Sequence, residues 1–336
     1  MDRTRASTRV LIALLGLTSV LPLLAWVNGL GSFRAWFLAV TVPGIVALVV
    51  LVTRRGAPAG TRRIITVGVL GGVLGVLGYD LIRAPFQFGA GYNLFAPIES
   101  YGVLLTGSSL SSGWTNLAGW AWHLSNGIGF AIAYVAVAER RRWWWGVPWA
   151  LTLESTAVFT SYADYYGLSG KTNVILIAYA AHVPFGLAIG WAGQHSDEIY
   201  DGLRGMTRRP NAVLLGGIGA LLFVWHQPLD SHRLDDTPAG AEAAVMDGRL
   251  NPEYLRLAEG GCATVANLDD VAYEVDEADG SPTLAARDLV EACFADARSG
   301  VHRLRIDDRP FHGGFVIVDP QMSNGEAHPL RKGAAQ

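Results

Sequence analysis

The chain has 336 residues, of which 51% are hydrophobic and only 16% are charged, and its mean hydropathy is +0.28. This composition excludes an ordinary soluble protein and is typical of an integral membrane protein. The formal net charge of −3 is too small to indicate nucleic acid as a partner, and the basic residues stand in short clusters beside apolar runs.

Seven mostly apolar runs precede His226, and each approaches or reaches the roughly 20 residues that a helix needs to cross a bilayer. The runs are residues 10–27, 35–52, 64–82, 116–137, 144–162, 174–192 and 212–225. We predict an α-helical polytopic membrane bundle of about seven transmembrane helices over residues 1–226, with the lipid bilayer as its surroundings. Alternatively, the first run is a cleaved signal peptide, although no small-residue cleavage site follows it.

Arginines are concentrated in every second connection between these runs. They cluster within residues 3–9, 54–63, 140–142 and 204–209. By the positive-inside rule, those connections face the cytoplasm. We therefore predict a plasma-membrane protein with a cytoplasmic N-terminus and with every residue after His226 outside the cell.

The third run carries a face of small residues. Its glycines are Gly68, Gly71, Gly72, Gly75 and Gly78. Small residues at this spacing let neighbouring membrane helices approach closely. We expect this face to serve helix packing.

Four ionisable side chains interrupt four different runs: Asp80, His123, Glu154 and His182. In the predicted orientation, a rise of about 1.5 Å per residue places them roughly 7 to 13 Å below the outer boundary. Ionisable groups are rare in membrane spans and usually face the bundle interior. We expect the four to converge on one outward-facing site.

Other polar side chains lie close enough in the sequence to support such a site. Asn126 follows His123 by one turn, and Tyr79, Arg83 and Ser155 are near the carboxylates. Two imidazoles with two carboxylates suit copper(II), zinc or non-haem iron, so we predict a transition-metal site. A polar packing network and a proton or substrate pathway are the alternatives. A b-type haem between the histidines is less favoured, because two carboxylates accompany them.

These options give three functional hypotheses. The leading one is a membrane metalloprotein that handles copper, zinc or iron, with an oxidative reaction as one outcome. The second is a non-enzymatic transport or assembly subunit, which relays protons or a metal ion within a membrane complex of partner subunits. The third is an intramembrane hydrolase with a metal-activated water near Ser155. That reading resembles in outline the seven-span alkaline ceramidases, whose zinc site combines histidines with an aspartate.

The connection over residues 86–114 is long and rich in glycine, serine and aromatic residues. Long loops of this kind are often functional lids. Tyr92, Glu99 and Tyr101 are candidates to close over the cluster from outside. The alternative is a simple connector that partly dips into the membrane.

The remainder of the chain has ordinary soluble composition. We predict a linker over residues 227–258, a β domain over 259–320 and a tail over 321–336. Alternating segments at 262–268, 271–275, 288–294, 301–306 and 314–320 indicate short strands. Cys262 and Cys293 both fall in this domain, where an oxidising exterior favours a disulfide between them.

The segments CATVANLDDVAYEV and ACFADARSGVHRLRIDDRPFHGGFVIVDP resemble the C-terminal half of a cupredoxin. The resemblance covers about 60 residues and implies a small all-β, cupredoxin-like sandwich. Most of the copper ligands of that family are missing: Tyr273 and Arg309 stand at or beside two histidine places. Only His312 occupies a ligand-like position, near the axial methionine. His302 and His312 are therefore secondary candidates for metal binding.

Overall fold

The computed structural model describes residues 6–90, 94–108, 110–166, 168, 171–206, 241–246, 248–274, 283–294, 299–304 and 313–319. These segments belong to two compact units. The helical unit comprises residues 1–86, 121–162 and 170–227, and the sheet unit comprises residues 87–120, 163–169 and 228–336. The predicted seventh span, His312 and the tail lie outside the described residues.

The helices of the described residues are α1 (Ala6–Leu17), α2 (Leu21–Val27), α3 (Phe33–Trp36), α4 (Val42–Thr53), α5 (Ala59–Gly89), α6 (Ala96–Thr106), α7 (Gly113–Ala138), α8 (Gly146–Val158), α9 (Ser161–Tyr165), α10 (Thr172–Gln194) and α11 (Ser196–Met206). A π-helical turn, Phe37–Thr41, joins α3 to α4 without a break. The turn precedes Pro43, whose ring would crowd the carbonyl four residues earlier in a regular α-helix.

Within the described residues, four helical segments are long and apolar enough to cross a membrane: Phe33–Thr53, Ala59–Gly89, Gly113–Ala138 and Thr172–Gln194. The pair α1 and α2, bent by 52°, makes a fifth candidate if it is one broken span. These segments correspond to five of the six spans predicted in this part of the chain. The described helices therefore support a membrane protein with four to five candidate spans.

The predicted span at 144–162 is shorter than expected. Its helix α8 has 13 residues, about 20 Å by the helical rise, whereas a hydrocarbon core is about 30 Å thick. Serine and threonine side chains near its end bond to backbone carbonyls, as Ser155 does to Leu151 and Thr160 does to Ala157. Such local bonds compete with helix continuation, and the chain turns into the separate short helix α9.

The glycine face of α5 is a packing surface, as predicted. A Cβ atom at Gly72 would lie 2.5 Å from the Cα of Ile128 on α7, which is closer than side chains can approach. Gly68 meets Ile132 of α7 in the same way. The other glycines of the face lie against α10, at Ala192, Phe185 and Pro184. The missing side chains thus bring α5 into close contact with two helices at once.

An ion-pair network joins one end of the helical unit. Glu139 accepts hydrogen bonds from Arg9 and Arg63, each with an N–O distance of 2.7 Å. Asp197 pairs with Arg63 and, at 2.8 Å, with Arg140. The network brings together the start of α1, the start of α5, the end of α7 and the start of α11. Segments that the arginine pattern assigns to one side of the membrane therefore meet at one end of the bundle.

The strands of the described residues are β1 (Ala243–Met246), β2 (Arg249–Leu257), β3 (Cys262–Asn267), β4 (Tyr273–Glu274), β5 (Thr283–Leu284), β6 (Leu289–Cys293), β7 (Gly300–Leu304) and β8 (Gly313–Val318). Six of them form one sheet in the order β6-β3-β1-β2-β8-β7, and β4 pairs with β5. The pairs β1–β3 and β2–β8 are parallel, so the sheet is mixed. The strands therefore form a small mixed sheet and not the predicted all-β, cupredoxin-like sandwich, and each parallel pair includes one strand, β1 or β2, that had not been predicted.

Two of the strands that had not been predicted, β1 and β2, lie inside the range predicted as a linker. They occupy the centre of the sheet. Pro252 falls within β2, where the register against β8 shifts between Arg249 and Tyr254. Proline cannot donate a ladder hydrogen bond and is confined to edges or irregularities, so its presence argued against a central strand. The irregularity in the β2–β8 register accommodates it.

A disulfide joins Cys262 to Cys293, as predicted. The two cysteines are directly opposite each other in the β3–β6 ladder. A disulfide is consistent with an extracytoplasmic sheet unit, since such bonds persist in oxidising compartments.

The predicted outer loop contributes to the sheet unit. Its helix α6 is followed by Leu110, which forms an isolated bridge with Leu255 of β2, and by Ser111, whose N–H donates to the carbonyl of Tyr254 at 3.0 Å. Tyr101 is only 5% exposed, and its ring contacts that of Tyr166 in the same unit. Tyr101 therefore packs inside the sheet unit, and Tyr92 lies outside the described residues.

Candidate acid–base site in the helical unit

The four predicted site residues lie inside the helical unit. Helices α5, α7, α8 and α10 supply Asp80, His123, Glu154 and His182, respectively. Asp80, Glu154 and His182 are 5–7% exposed, and the side chain of His123 is 14% exposed. The side chains therefore face the interior of the bundle, which is where membrane proteins place ionisable groups that have a function.

Asp80, His123 and Arg83 form the first half of the site. The Nε2 atom of His123 is 3.3 Å from both carboxylate oxygens of Asp80. One helical turn along α5, the Nη1 atom of Arg83 is also 3.3 Å from Asp80. The carboxylate of Asp80 is thus shared between an imidazole and a permanent positive charge.

His182 and Glu154 form the second half. The Nδ1 atom of His182 is 2.9 Å from the carbonyl oxygen of Ala178 and 3.5 Å from Oε2 of Glu154. A carbonyl oxygen only accepts hydrogen bonds, so Nδ1 carries a hydrogen in this arrangement. In the neutral ring, Nε2 is then the atom with a lone pair, and it is the position that can take up a proton or a metal ion.

Tyr79 links the two halves. The centre of its ring is 4.7 Å from that of His182 and 5.9 Å from that of His123. The guanidinium carbon of Arg83 lies 4.7 Å from the same ring, in a cation–π arrangement. The sequence had indicated Tyr79 only as a supporting residue, but the structure places its ring in contact with both histidines.

The other supporting residues have different neighbours. The hydroxyl of Ser155 is 3.0 Å from that of Tyr179 on α10, a residue that sequence reasoning had not selected. Asn126 accepts a hydrogen bond of 3.4 Å from Ser19, which follows α1. Residues three positions apart on a helix point about 60° apart, so Asn126 can contact the α1 region while His123 contacts Asp80. The hydrogen bond between Asn126 and Ser19 connects α7 with the α1 region, and the supporting role of Asn126 in the cluster stays a prediction.

Among the described residues, the cluster contains two carboxyl groups, Asp80 and Glu154, and one permanent cation, Arg83. A carboxylate is costly in a buried, low-dielectric position unless it is paired. Glu154 lies beside an imidazole that is charged only when it is protonated, so its environment depends on proton uptake.

The described residues contain no group of three or more His, Cys, Asp or Glu side chains that could hold a metal ion. The four predicted ligands form two pairs instead of one common set, and Arg83 competes for Asp80. His302 lies on β7 opposite Val316 of β8, and His312 is outside the described residues. The two cysteines are in the disulfide and do not act as ligands.

No protein-family model, curated protein or solved structure matches this chain. Its own features define a class: a protein with four to five candidate membrane spans, a buried acid–base cluster among four helices, and a small, disulfide-bonded, mixed β-sheet.

Proposed function

We propose that this protein is an integral membrane protein that takes up protons and passes them on through the cluster of Tyr79, Asp80, His123, Glu154 and His182. One observation carries the proposal: two buried carboxylate–imidazole pairs from four helices meet on the ring of Tyr79. Relays of Asp, Glu and His are the usual means by which membrane proteins move protons.

The geometry at His182 suggests the elementary step. A proton that arrives at Nε2 gives an imidazolium, whose positive charge is stabilised by the carboxylate of Glu154. The ring can then release its other proton from Nδ1 to Oε2 of Glu154, now 3.5 Å away. The imidazole is again neutral after this transfer, with its hydrogen on Nε2, and a tautomer exchange or ring rotation resets it.

The test is proton flux in proteoliposomes that contain a pH-sensitive dye. Under an imposed pH gradient, wild-type protein should carry protons above the level of protein-free liposomes. His182→Gln and Glu154→Gln should each lower that flux by about tenfold or more, because positioned acid–base groups contribute about 10² to 10⁴-fold to proton transfer.

The matched control is Glu198→Gln, since Glu198 is an acidic residue at the exposed start of α11, with a side chain 75% exposed. Its flux should equal that of the wild type. A wild-type flux no higher than that of empty liposomes would overturn the proposal, as would equal flux in all variants that keep wild-type thermal stability.

A transition metal, whether copper, zinc or iron, is the second candidate, and one observation favours it. Metal-ligating histidines usually donate their other ring N–H to a carbonyl or carboxylate, as His182 does through Nδ1. Metal analysis of the purified protein tests this candidate. Bound metal that disappears in the double variant His123→Ala/His182→Ala would support it, and a Soret band would identify haem. Absence of metal, or metal that the double variant retains, would contradict it.

A further inference from the structure

The turn between α7 and α8 is held rigidly against α10. Arg140 adopts a left-handed backbone conformation with φ of 67°, and its N–H donates to the carbonyl of Gly193 at 2.9 Å. Three residues later, the N–H of Trp143 donates to the side chain of Gln194 at 2.8 Å. Arg141 and Arg142 lie between these two anchors, so their backbone position is defined by the fold.

The arginines at this end of the bundle belong to two groups. Arg9, Arg63 and Arg140 are paired with Glu139 or Asp197. Arg141 and Arg142 are exposed, and neither guanidinium forms an ion pair or side-chain hydrogen bond with any residue in the described segments. Their two positive charges are therefore available to a partner outside the protein.

Three consecutive tryptophans follow these arginines. Trp143, Trp144 and Trp145 are 47%, 39% and 47% exposed, although large apolar side chains are normally buried. The rings of Trp144 and Trp145 stack with centres 4.6 Å apart. Tryptophan is enriched at the membrane–water interface, where its ring lies at the level of the lipid headgroups. The same level would be occupied by the adjacent guanidinium groups.

We propose that Arg141 and Arg142, together with Trp143–Trp145, bind the phosphate headgroup of an anionic phospholipid. The guanidinium group offers paired N–H donors that match phosphate oxygens, and the exposed rings pack beside the acyl chains. Charge complementarity selects an anionic lipid over a zwitterionic one. The backbone bond of Arg140 to Gly193 and the bond of Trp143 to Gln194 fix the chain on either side of the two arginines.

The test uses the full chain in nanodiscs of phosphatidylcholine with a minor fraction of phosphatidylglycerol. Native mass spectrometry counts the lipid molecules that remain bound to the protein after the protein is released from the nanodisc. Wild-type protein should retain phosphatidylglycerol preferentially. The double variant Arg141→Gln/Arg142→Gln should retain about tenfold less phosphatidylglycerol, because each arginine near the membrane surface raises the affinity for anionic lipid several-fold.

The control is Arg54→Gln/Arg55→Gln, which removes the same charge from another exposed arginine pair that no tryptophans follow. This variant should keep the wild-type preference. Equal loss in both double variants would overturn the proposal, because it would indicate general attraction to positive charge. Equal retention of both lipids by the wild type would also overturn it, as would displacement of the lipid by excess inorganic phosphate, which would indicate a site for the free ion.

Discussion

Two buried carboxylates of the helical unit have opposite surroundings. Glu139 accepts hydrogen bonds from two guanidinium groups at 2.7 Å, so its negative charge is fully compensated. Glu154 lies 3.5 Å from the imidazole of His182, which is charged only when protonated. The first arrangement stabilises one protonation state and suits a structural role. The second changes with proton uptake, which is what a relay requires.

Glu139→Gln should destabilise the helical unit strongly. The substitution removes the negative charge that Arg9 and Arg63 share, although Arg63 keeps its ion pair with Asp197. Loss of these charge-assisted hydrogen bonds costs about 1.5–3 kcal/mol in the free energy of unfolding. Denaturant titration in detergent micelles measures this loss. Glu198→Gln, at an exposed position, should stay within about 0.5 kcal/mol of the wild type. Similar unfolding midpoints for both variants would contradict the structural role of Glu139.

At the scale of elements, the packing of α5 depends on its glycines, which have no side chain to keep neighbouring helices apart. Gly68 and Gly72 let α7 approach, and the remaining glycines of the face let α10 approach. The sequence was sufficient to predict this face, because small residues at helical spacing have few other purposes in a membrane span. It was not sufficient to name the partners, since any helix can pack against such a face.

Gly72→Leu should separate α5 from α7. Its Cβ alone would lie 2.5 Å from the Cα of Ile128, and overpacking of this kind costs about 1–3 kcal/mol or more in the free energy of unfolding. Thermal unfolding in detergent, followed by size-exclusion chromatography, measures the effect.

Gly89→Leu is the matched control in the same helix, because a Cβ atom at Gly89 would meet no atom within 4 Å. It should leave the unfolding temperature unchanged or slightly raised, since leucine favours helix more than glycine does. A temperature lowered equally by both changes would contradict the packing assignment.

The two central strands of the sheet, β1 and β2, have no clear strand pattern in the sequence. The alternating segments that predicted β3, β4, β6, β7 and β8 carry polar and apolar residues on opposite faces or form a short apolar run. Strand β1 has only four residues, and β2 contains Pro252, so neither produced a clear signal. Their strand conformation depends on pairing with β3 and β8, and those partners are distant in the sequence.

At the scale of the whole molecule, the two units of the chain are stabilised in different ways. The helical unit depends on close helix packing and on an ion-pair network, whereas the sheet unit combines a mixed sheet with a covalent bond between β3 and β6. The disulfide is consistent with the predicted extracytoplasmic location of the sheet unit. The cytoplasmic location of the arginine-rich end stays a prediction of the positive-inside rule.

Removal of the disulfide should weaken the sheet unit. The bond closes a segment with a sequence separation of 31 residues, and loss of a native disulfide typically costs about 2–5 kcal/mol in the free energy of unfolding. The full-length double variant Cys262→Ser/Cys293→Ser should therefore be cleaved by protease within the sheet unit faster than the wild type. Equal cleavage rates would contradict a stabilising role.

The single variant Cys293→Ser also tests topology, because it leaves Cys262 as a free thiol. A membrane-impermeant maleimide should label it in intact cells. Labelling only after permeabilisation would contradict an external sheet unit.

The sequence by itself determined the properties that depend on local composition. A bilayer requires long apolar runs in the segments that cross it, and arginines are concentrated on its cytoplasmic face. The candidate spans, the predicted orientation and the four ionisable residues could therefore be found from the sequence alone. Only the tertiary structure decided how those residues meet. Rotation and packing of each helix placed Asp80 beside His123, Glu154 beside His182 and Asn126 beside Ser19. Such contacts depend on neighbours far apart in the chain, and no local pattern specifies them.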